Sequence, residues 1–187
     1  MALVRLLVVD DFQLWRDCIR EYLEEHPDLH IVGFASDGFE ALQKVRELQP
    51  DLVLLDIGLP KLSGIETARQ IRTLSPNCKI LFLTGHSYPE LVRGALEAGG
   101  CGYVHKEDAL TELLAGLEAA IAGRQYLSSS VTGLGDVSQA DGARLGQQIL
   151  GHASTKKAGV LVLSREGQKS PESLGQTEPK PESSRSL

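Results

Sequence analysis

"DLVLLD" (residues 51–56) sets four consecutive apolar residues between two carboxylates. A strand with one wet face alternates apolar and polar residues, whereas a run that is apolar at every position suits a parallel strand covered on both faces. Four more runs read this way: "LVRLLVV" (3–9), "LHIVGFA" (29–35), "KILFLT" (79–84) and "CGYVH" (101–105). Stretches of helical periodicity separate them. Trp15, Cys18, Ile19, Tyr22 and Leu23 share one helical face, and Ala41, Leu42, Val45 and Leu48 share the next. Ile65, Ala68, Ile71 and Leu74 repeat the pattern, followed by Leu91, Val92, Ala95 and Leu96, then Leu110, Leu113, Leu114, Leu117 and Ile121. Pro27, Pro50, Pro76, Gly99 with Gly100, and Gly123 punctuate the helices in turn. Five βα units predict an α/β fold with a five-stranded parallel sheet, doubly wound because crossovers are right-handed.

Composition narrows the class. The 187 residues are 42% hydrophobic and 24% charged, as in ordinary soluble proteins. Residues 1–127 hold 12 Lys/Arg against 19 Asp/Glu and residues 128–187 hold 7 against 6, so neither part presents a nucleic-acid surface. Cys18, Cys78 and Cys101 are odd in number and far apart, which suggests neither a disulfide framework nor a metal cluster. They read as small buried hydrophobes in a reducing compartment. The run "MALVRLLVV" ends at Asp10 and Asp11, short of a signal-peptide core or a membrane span, so a cytoplasmic protein without a membrane anchor is expected.

The organisation changes near residue 125. Residues 128–187 contain 11 Ser, 8 Gly and 3 Pro and no aromatic residue, too little apolar bulk for a second core. One domain over residues 1–125 and a linker with a low-complexity tail over 126–187 are expected. Within the tail, one helix is predicted over about 138–150, "AGVLVLS" (158–164) is a short apolar segment, and the Pro/Ser/Glu-rich end reads as disordered.

Ligands of open parallel sheets bind beyond the carboxyl ends of the strands. Strand one ends in Asp10 and Asp11, strand three in Asp56, strand four in Thr84 and strand five in Lys106. Strand order 2-1-3-4-5, the flavodoxin-like arrangement, brings these four ends together and leaves strand two at the far edge. Taken singly, each residue has a plainer reading: Asp11 as a helix N-cap, Thr84 as an ordinary strand residue, Lys106 as a surface charge. Taken together they form a charged crevice. Three carboxylates within roughly 4 to 6 Å would repel by several kcal/mol at an effective dielectric of about 20, so a cation is required. Mg2+ suits an all-oxygen site with few protein ligands and positions left for phosphate oxygens. Asp56 is the natural nucleophile, with Lys106 and Thr84 placed to meet a phosphoryl group from other sides and Gly85 leaving room for its approach.

These residues resemble the receiver domain of bacterial two-component response regulators. "VVDD", "DLVLLDIGLPKLSGIE", "LTGHS" and "GYVHK" occur in order at the strand ends, over about residues 3–125. The resemblance implies Asp56 as phosphoacceptor, Asp11 as a direct Mg2+ ligand with Asp10 assisting, and the Gly58 backbone carbonyl as a further ligand. It implies Thr84 as a switch hydroxyl, Tyr103 as a switch aromatic and Lys106 as the phosphate-pairing lysine, with Pro60 and Gly64 shaping the loop after the acceptor. For Tyr103, plain packing against the sheet is the alternative. A phosphoryl group on Asp56 would draw Thr84 toward it, and the Tyr103 ring would fill the vacated space. The implied function is a phosphorylation-activated switch fed by a sensor histidine kinase, a phosphoacceptor and not a turnover enzyme. The implied homodimer forms through the face of helix four, strand five and helix five, or through helices one and five.

"DFQLWRDCIREYL", "GRQYLSSSV" and "LSREGQ" are similar to the subgroup whose receivers precede a LuxR/NarL-type helix-turn-helix domain. Such a domain takes about 60 residues of amphipathic helix. Only the 23 residues of a Pro/Ser/Glu-rich stretch follow Ser164, a departure that speaks against DNA binding and leaves a truncated or variant LuxR-type transcriptional regulator as the alternative. An aspartate-phosphate hydrolase of the haloacid dehalogenase kind expects an acid two positions after its nucleophile, where Gly58 stands. No Gly-rich phosphate loop follows the first strand, which disfavours nucleotide-binding enzymes. A degenerate, phosphorylation-independent receiver would lack an acidic or lysine position, and all are present.

Overall fold

The computed structural model describes residues 3–132. The helix predicted over 138–150, the apolar segment 158–164 and the Pro/Ser/Glu-rich end lie outside the described residues. The elements alternate: β1 (Val4–Val9), α1 (Gln13–Leu23), β2 (Leu29–Ala35), α2 (Gly38–Leu48), β3 (Leu52–Leu55), α3 (Gly64–Leu74), β4 (Lys79–Thr84), α4 (Pro89–Glu97), β5 (Gly102–His105), α5 (Ala109–Ile121), β6 (Tyr126–Leu127) and α6 (Ser129–Thr132). The sheet is parallel throughout, in the order β2-β1-β3-β4-β5-β6.

The consecutive apolar runs are explained by what covers them. Leu7, Val9, Val53, Leu55, Ile80 and Phe82 point to one face and pack with residues of α2, α3 and α4, among them Ala41, Val45, Ala68, Ile71 and Val92. Leu6, Val8, Leu52, Leu54, Leu81 and Leu83 point to the other and meet Ile19 and Leu23 of α1 and Leu113 and Leu117 of α5. Each buried Leu or Ile side chain contributes about 1.5–3 kcal/mol relative to exposure, so both faces need their helices.

Helix starts follow local chemistry. Asp37 caps α2 by accepting the Glu40 N–H at 2.9 Å, and Ser63 caps α3 by accepting the Glu66 N–H at 3.3 Å. Pro89 occupies the first turn of α4.

Two details differ from the sequence reading. A sixth strand, of two residues, pairs Gly102 with Tyr126 and Tyr103 with Leu127, so the sheet runs past residue 125 into what reads as linker. Two residues are too few for periodicity to register. Cys78 is buried and Cys101 half-buried, but Cys18 is exposed on α1; all three are free thiols. None of the described helices is long and apolar enough to cross a membrane.

Candidate functional site

Register places the site. Val9 of β1 pairs with Leu55 of β3, and the next residue on each strand is an aspartate, Asp10 and Asp56. The Asp56 N–H continues the ladder to the Val9 carbonyl at 2.9 Å. Two carboxylates therefore stand side by side because two adjacent parallel strands end level. Thr84 pairs with His105 across β4 and β5, and Lys106 follows directly in a single 3-10 turn, Lys106–Asp108.

Asp10 and Asp56 are buried, at 4% and 1% exposure, and Lys106 is buried with them. The Lys106 Nζ donates to Asp10 Oδ2 at 2.5 Å and to Asp56 Oδ2 at 3.1 Å. The remaining oxygens are held by the backbone: the Phe12 N–H donates to Asp10 Oδ1 at 2.9 Å and the Gly58 N–H to Asp56 Oδ1 at 3.2 Å. Asp11 is exposed at the rim. Among the described residues, Asp10, Asp11 and Asp56 form a group whose ligand atoms lie within 4.8 Å of one another. Burial raises the Asp10 carboxyl above its ordinary value, and the Asp56 charge adds to this; the Lys106 ammonium and the Phe12 N–H oppose it without prevailing.

The plainer readings of Asp11 and Lys106 fall away. The N-cap of α1 is Phe12, without a side-chain cap, so Asp11 is no cap. Lys106 is no surface charge, since its side chain is 8% exposed. Thr84 ends β4 fully buried, and its Oγ1 has no hydrogen-bond partner. An orphaned buried hydroxyl costs about 1–3 kcal/mol, which a bound group with an acceptor oxygen would recover.

Tyr103 is fully buried on the α4 side of the sheet, its ring centroid 6.3 Å from that of Phe82. Its Oη donates to the His86 carbonyl at 2.8 Å, and burial raises the phenol well above its ordinary range. The ring is already inside, so no inward movement is left for it to make from this conformation. Gly64 shapes the acceptor loop sterically, since a Cβ there would come within 2.0 Å of the Asp56 carbonyl oxygen. At Gly85 a Cβ would meet nothing within 4 Å, which is the open approach expected there.

Sequence reasoning missed two features. Trp15, assigned only to a helix face, also presents its ring to Lys106, with Nζ 5.2 Å from the centroid. Its signal lies in its place on the first turn of α1, directly after the paired aspartates. The Ser-rich stretch after β6 is also tied to the domain: Glu112 accepts from the Tyr126 hydroxyl at 2.8 Å and from the Ser129 N–H at 3.1 Å. Ser128 bridges inward, its N–H donating to the Tyr103 carbonyl at 2.9 Å and its Oγ accepting the His105 N–H at 3.0 Å.

The donor set fits a hard divalent cation: three carboxylates, two of them buried, with no sulfur or imidazole among them. The chain is 35% identical to the response regulator GacA of Pseudomonas viridiflava over 129 residues, 69% of this chain and 60% of GacA. It thus spans 60% of the length of that relative. It is 31% identical to the virulence factors putative positive transcription regulator BvgA of Bordetella pertussis over 163 residues, 87% of this chain and 77% of BvgA. A crystal structure of a LuxR-family two-component response regulator from Aurantimonas sp. SI85-9A1 superposes with a TM-score of 0.68 at 36% identity, covering 71% of this chain and 94% of that one. With the family profile described as response regulator receiver domain matching residues 6–118, the chain belongs to the response regulator receiver domains of two-component systems.

Proposed function

We propose that this chain is a phosphorylation-activated switch that accepts a phosphoryl group onto Asp56 from a sensor histidine kinase. The observation that carries the reading is the Lys106 ammonium bridging Asp10 and Asp56 in a buried crevice, with the Asp11 carboxylate beside them. An Asp56 oxygen attacks phosphorus, the P–N bond of a phosphohistidine breaks, and the departing imidazole takes up a proton. Asp10, Asp11, Asp56 and the Gly58 carbonyl would hold Mg2+, which when bound supplies positive charge to the phosphoryl oxygens. Lys106 pairs with the phosphoryl group from the β5 side, and Thr84 donates its unpartnered hydroxyl. The domain works as a phosphoacceptor that returns to its resting state by hydrolysis, not as a turnover enzyme, and it acts in the cytoplasm.

The inward Tyr103 refines the switch. Phosphorylation gives Thr84 an acceptor and thereby holds the ring where it already lies, stabilising one form of the face built by α4, β5 and α5. That face, or α1 with α5, would serve a homodimer. The receiver takes in β6 and the Ser128 and Ser129 contacts and so runs past residue 125.

A second reading, a truncated or variant transcriptional regulator, is favoured by one finding. The similarity to BvgA extends over 163 residues, more than residues 3–132 can supply. Salt-sensitive, sequence-specific duplex binding by this chain would support it.

The test is incubation of the full chain with Mg2+ and acetyl phosphate, read by intact mass. One labile phosphoryl group is expected, absent when Mg2+ is chelated beforehand and abolished in Asp56→Asn. Uptake that survives Asp56→Asn contradicts the assignment.

A further inference from the structure

Lys106 carries a full charge into a crevice where two of its N–H donors meet carboxylates. The Trp15 ring faces the same ammonium, within the distance at which an aromatic face attracts a cation, and burial strengthens that attraction. Trp15 arrives with the turn that carries Asp10. The Phe12 N–H donates to the Asp10 carboxylate, the Trp15 N–H donates to the Phe12 carbonyl at 3.1 Å, and the Arg16 guanidinium donates to the Asp10 carbonyl. One turn thus offers the lysine both a carboxylate and an aromatic face. A small cavity lined by Val8, Asp10, Trp15, Ile19, Asp56 and Leu83 lies among these groups.

We propose that Trp15 is a positioning residue for Lys106, holding its ammonium in the crevice through the indole face. The inference rests on the phosphoryl-accepting role given above, and deepens it. A divalent cation bound at the aspartates would claim the Asp10 carboxylate that Lys106 now engages. The indole attracts the ammonium without competing for metal or phosphoryl oxygens, so it keeps Nζ on the Asp56 side when Asp10 is taken. Trp15 also packs against the core face containing Ile19 and Leu83, and the test separates that packing from the charge contact.

The decisive experiment is a double-mutant cycle on the full chain without metal, combining Trp15→Leu with Lys106→Met and reading urea unfolding. Trp15→Leu is expected to lower the folding constant about 5- to 30-fold more when Lys106 is present than in the Lys106→Met background, and Trp15→Phe to retain most of the coupling. Equal losses in both backgrounds would overturn the proposal. Because the 187 residues contain one tryptophan, biosynthetic incorporation of mono-, di- and trifluorotryptophan alters this ring alone. Fluorination keeps the shape while draining the negative potential of the ring face. Stability should therefore fall in graded steps with Lys106 in place and stay level in the Lys106→Met background. A level series in both contradicts the pairing. With Mg2+ and acetyl phosphate, Trp15→Leu should slow phosphorylation and Trp15→Phe restore it. Coupling in the cycle without phosphoryl uptake by the unaltered chain would sink the phosphoryl reading and support the pairing; uptake without coupling would overturn the pairing alone.

Discussion

The Lys106 ammonium donates to the Asp10 carboxylate at 2.5 Å across 96 residues of sequence, joining the end of β5 to the end of β1. The same Nζ reaches Asp56 at 3.1 Å, so a single positive charge serves two buried negative ones. The crevice is one positive charge short before Asp11 is considered. Burial, with the Asp56 charge adding to it, raises the Asp10 carboxyl, and the proposed divalent cation would make up the missing positive charge.

Removing this charge should be costly only while the cation is absent. Lys106→Met removes the ammonium from two buried carboxylates, and a loss of about 3–5 kcal/mol is expected at neutral pH in chelator. Asp10 sets the pH dependence. Its carboxyl is raised in the folded state, so the stability it contributes is fully present below the ordinary value of 3.8 and is lost as pH rises through the folded value. Urea titrations with and without Mg2+ should therefore show the Lys106→Met deficit shrinking on acidification and on metal addition.

Thr84→Val should separate stability from signalling. The hydroxyl is buried and unpartnered, so its removal is expected to leave stability unchanged or raise it by about 1 kcal/mol. The phosphorylation-dependent fixing of the Tyr103 ring in its inward position, followed by NMR, should be weakened in the same variant. A marked destabilisation would mean that the hydroxyl has a structural partner.

Two glycines near the acceptor should respond oppositely to alanine. Gly64→Ala forces a methyl within 2.0 Å of the Asp56 carbonyl oxygen, and a loss of about 2–4 kcal/mol with displacement of Asp56 is expected. Gly85→Ala meets open space, and thermal unfolding should change by no more than about 0.5 kcal/mol.

The contact between Ser129 and Glu112 should loosen in acid. The Ser129 and Tyr126 hydroxyls, donating to Glu112, lower its carboxyl below the ordinary 4.5. A lowered carboxyl contributes stability that is present above the ordinary value and lost as pH falls through the folded one. The Ser129 amide resonance should follow that loss, and Glu112→Gln should reduce the pH dependence, leaving the part due to Asp108, which accepts from the Ser130 N–H and is also lowered.

Much of this was legible because parallel strands write themselves as unbroken apolar runs, and their last residues face one crevice. That Asp10, Asp56 and Lys106 stand close together could be read from strand ends, since Val9 pairs level with Leu55 and Thr84 with His105. What stayed hidden depends on side-chain reach and not on periodicity. Trp15 fits its helical face as packing whether or not its ring meets an ammonium, and the inward Tyr103 is a choice between rotamers. Tyr126 and Leu127 form a strand too short to show a pattern, held by the Glu112 contact to Tyr126 and by the contacts of the next residue, Ser128, to Tyr103 and His105, all remote in sequence.

The most direct test of the central claim is to trap the phosphorylated residue chemically. After Mg2+ and acetyl phosphate, borohydride reduces an acyl phosphate to the alcohol with release of phosphate, converting an aspartate into homoserine. Peptide mass spectrometry should find homoserine at position 56 and nowhere else. Homoserine at position 10 or 11, or a phosphoryl group found instead on a serine, would contradict the account.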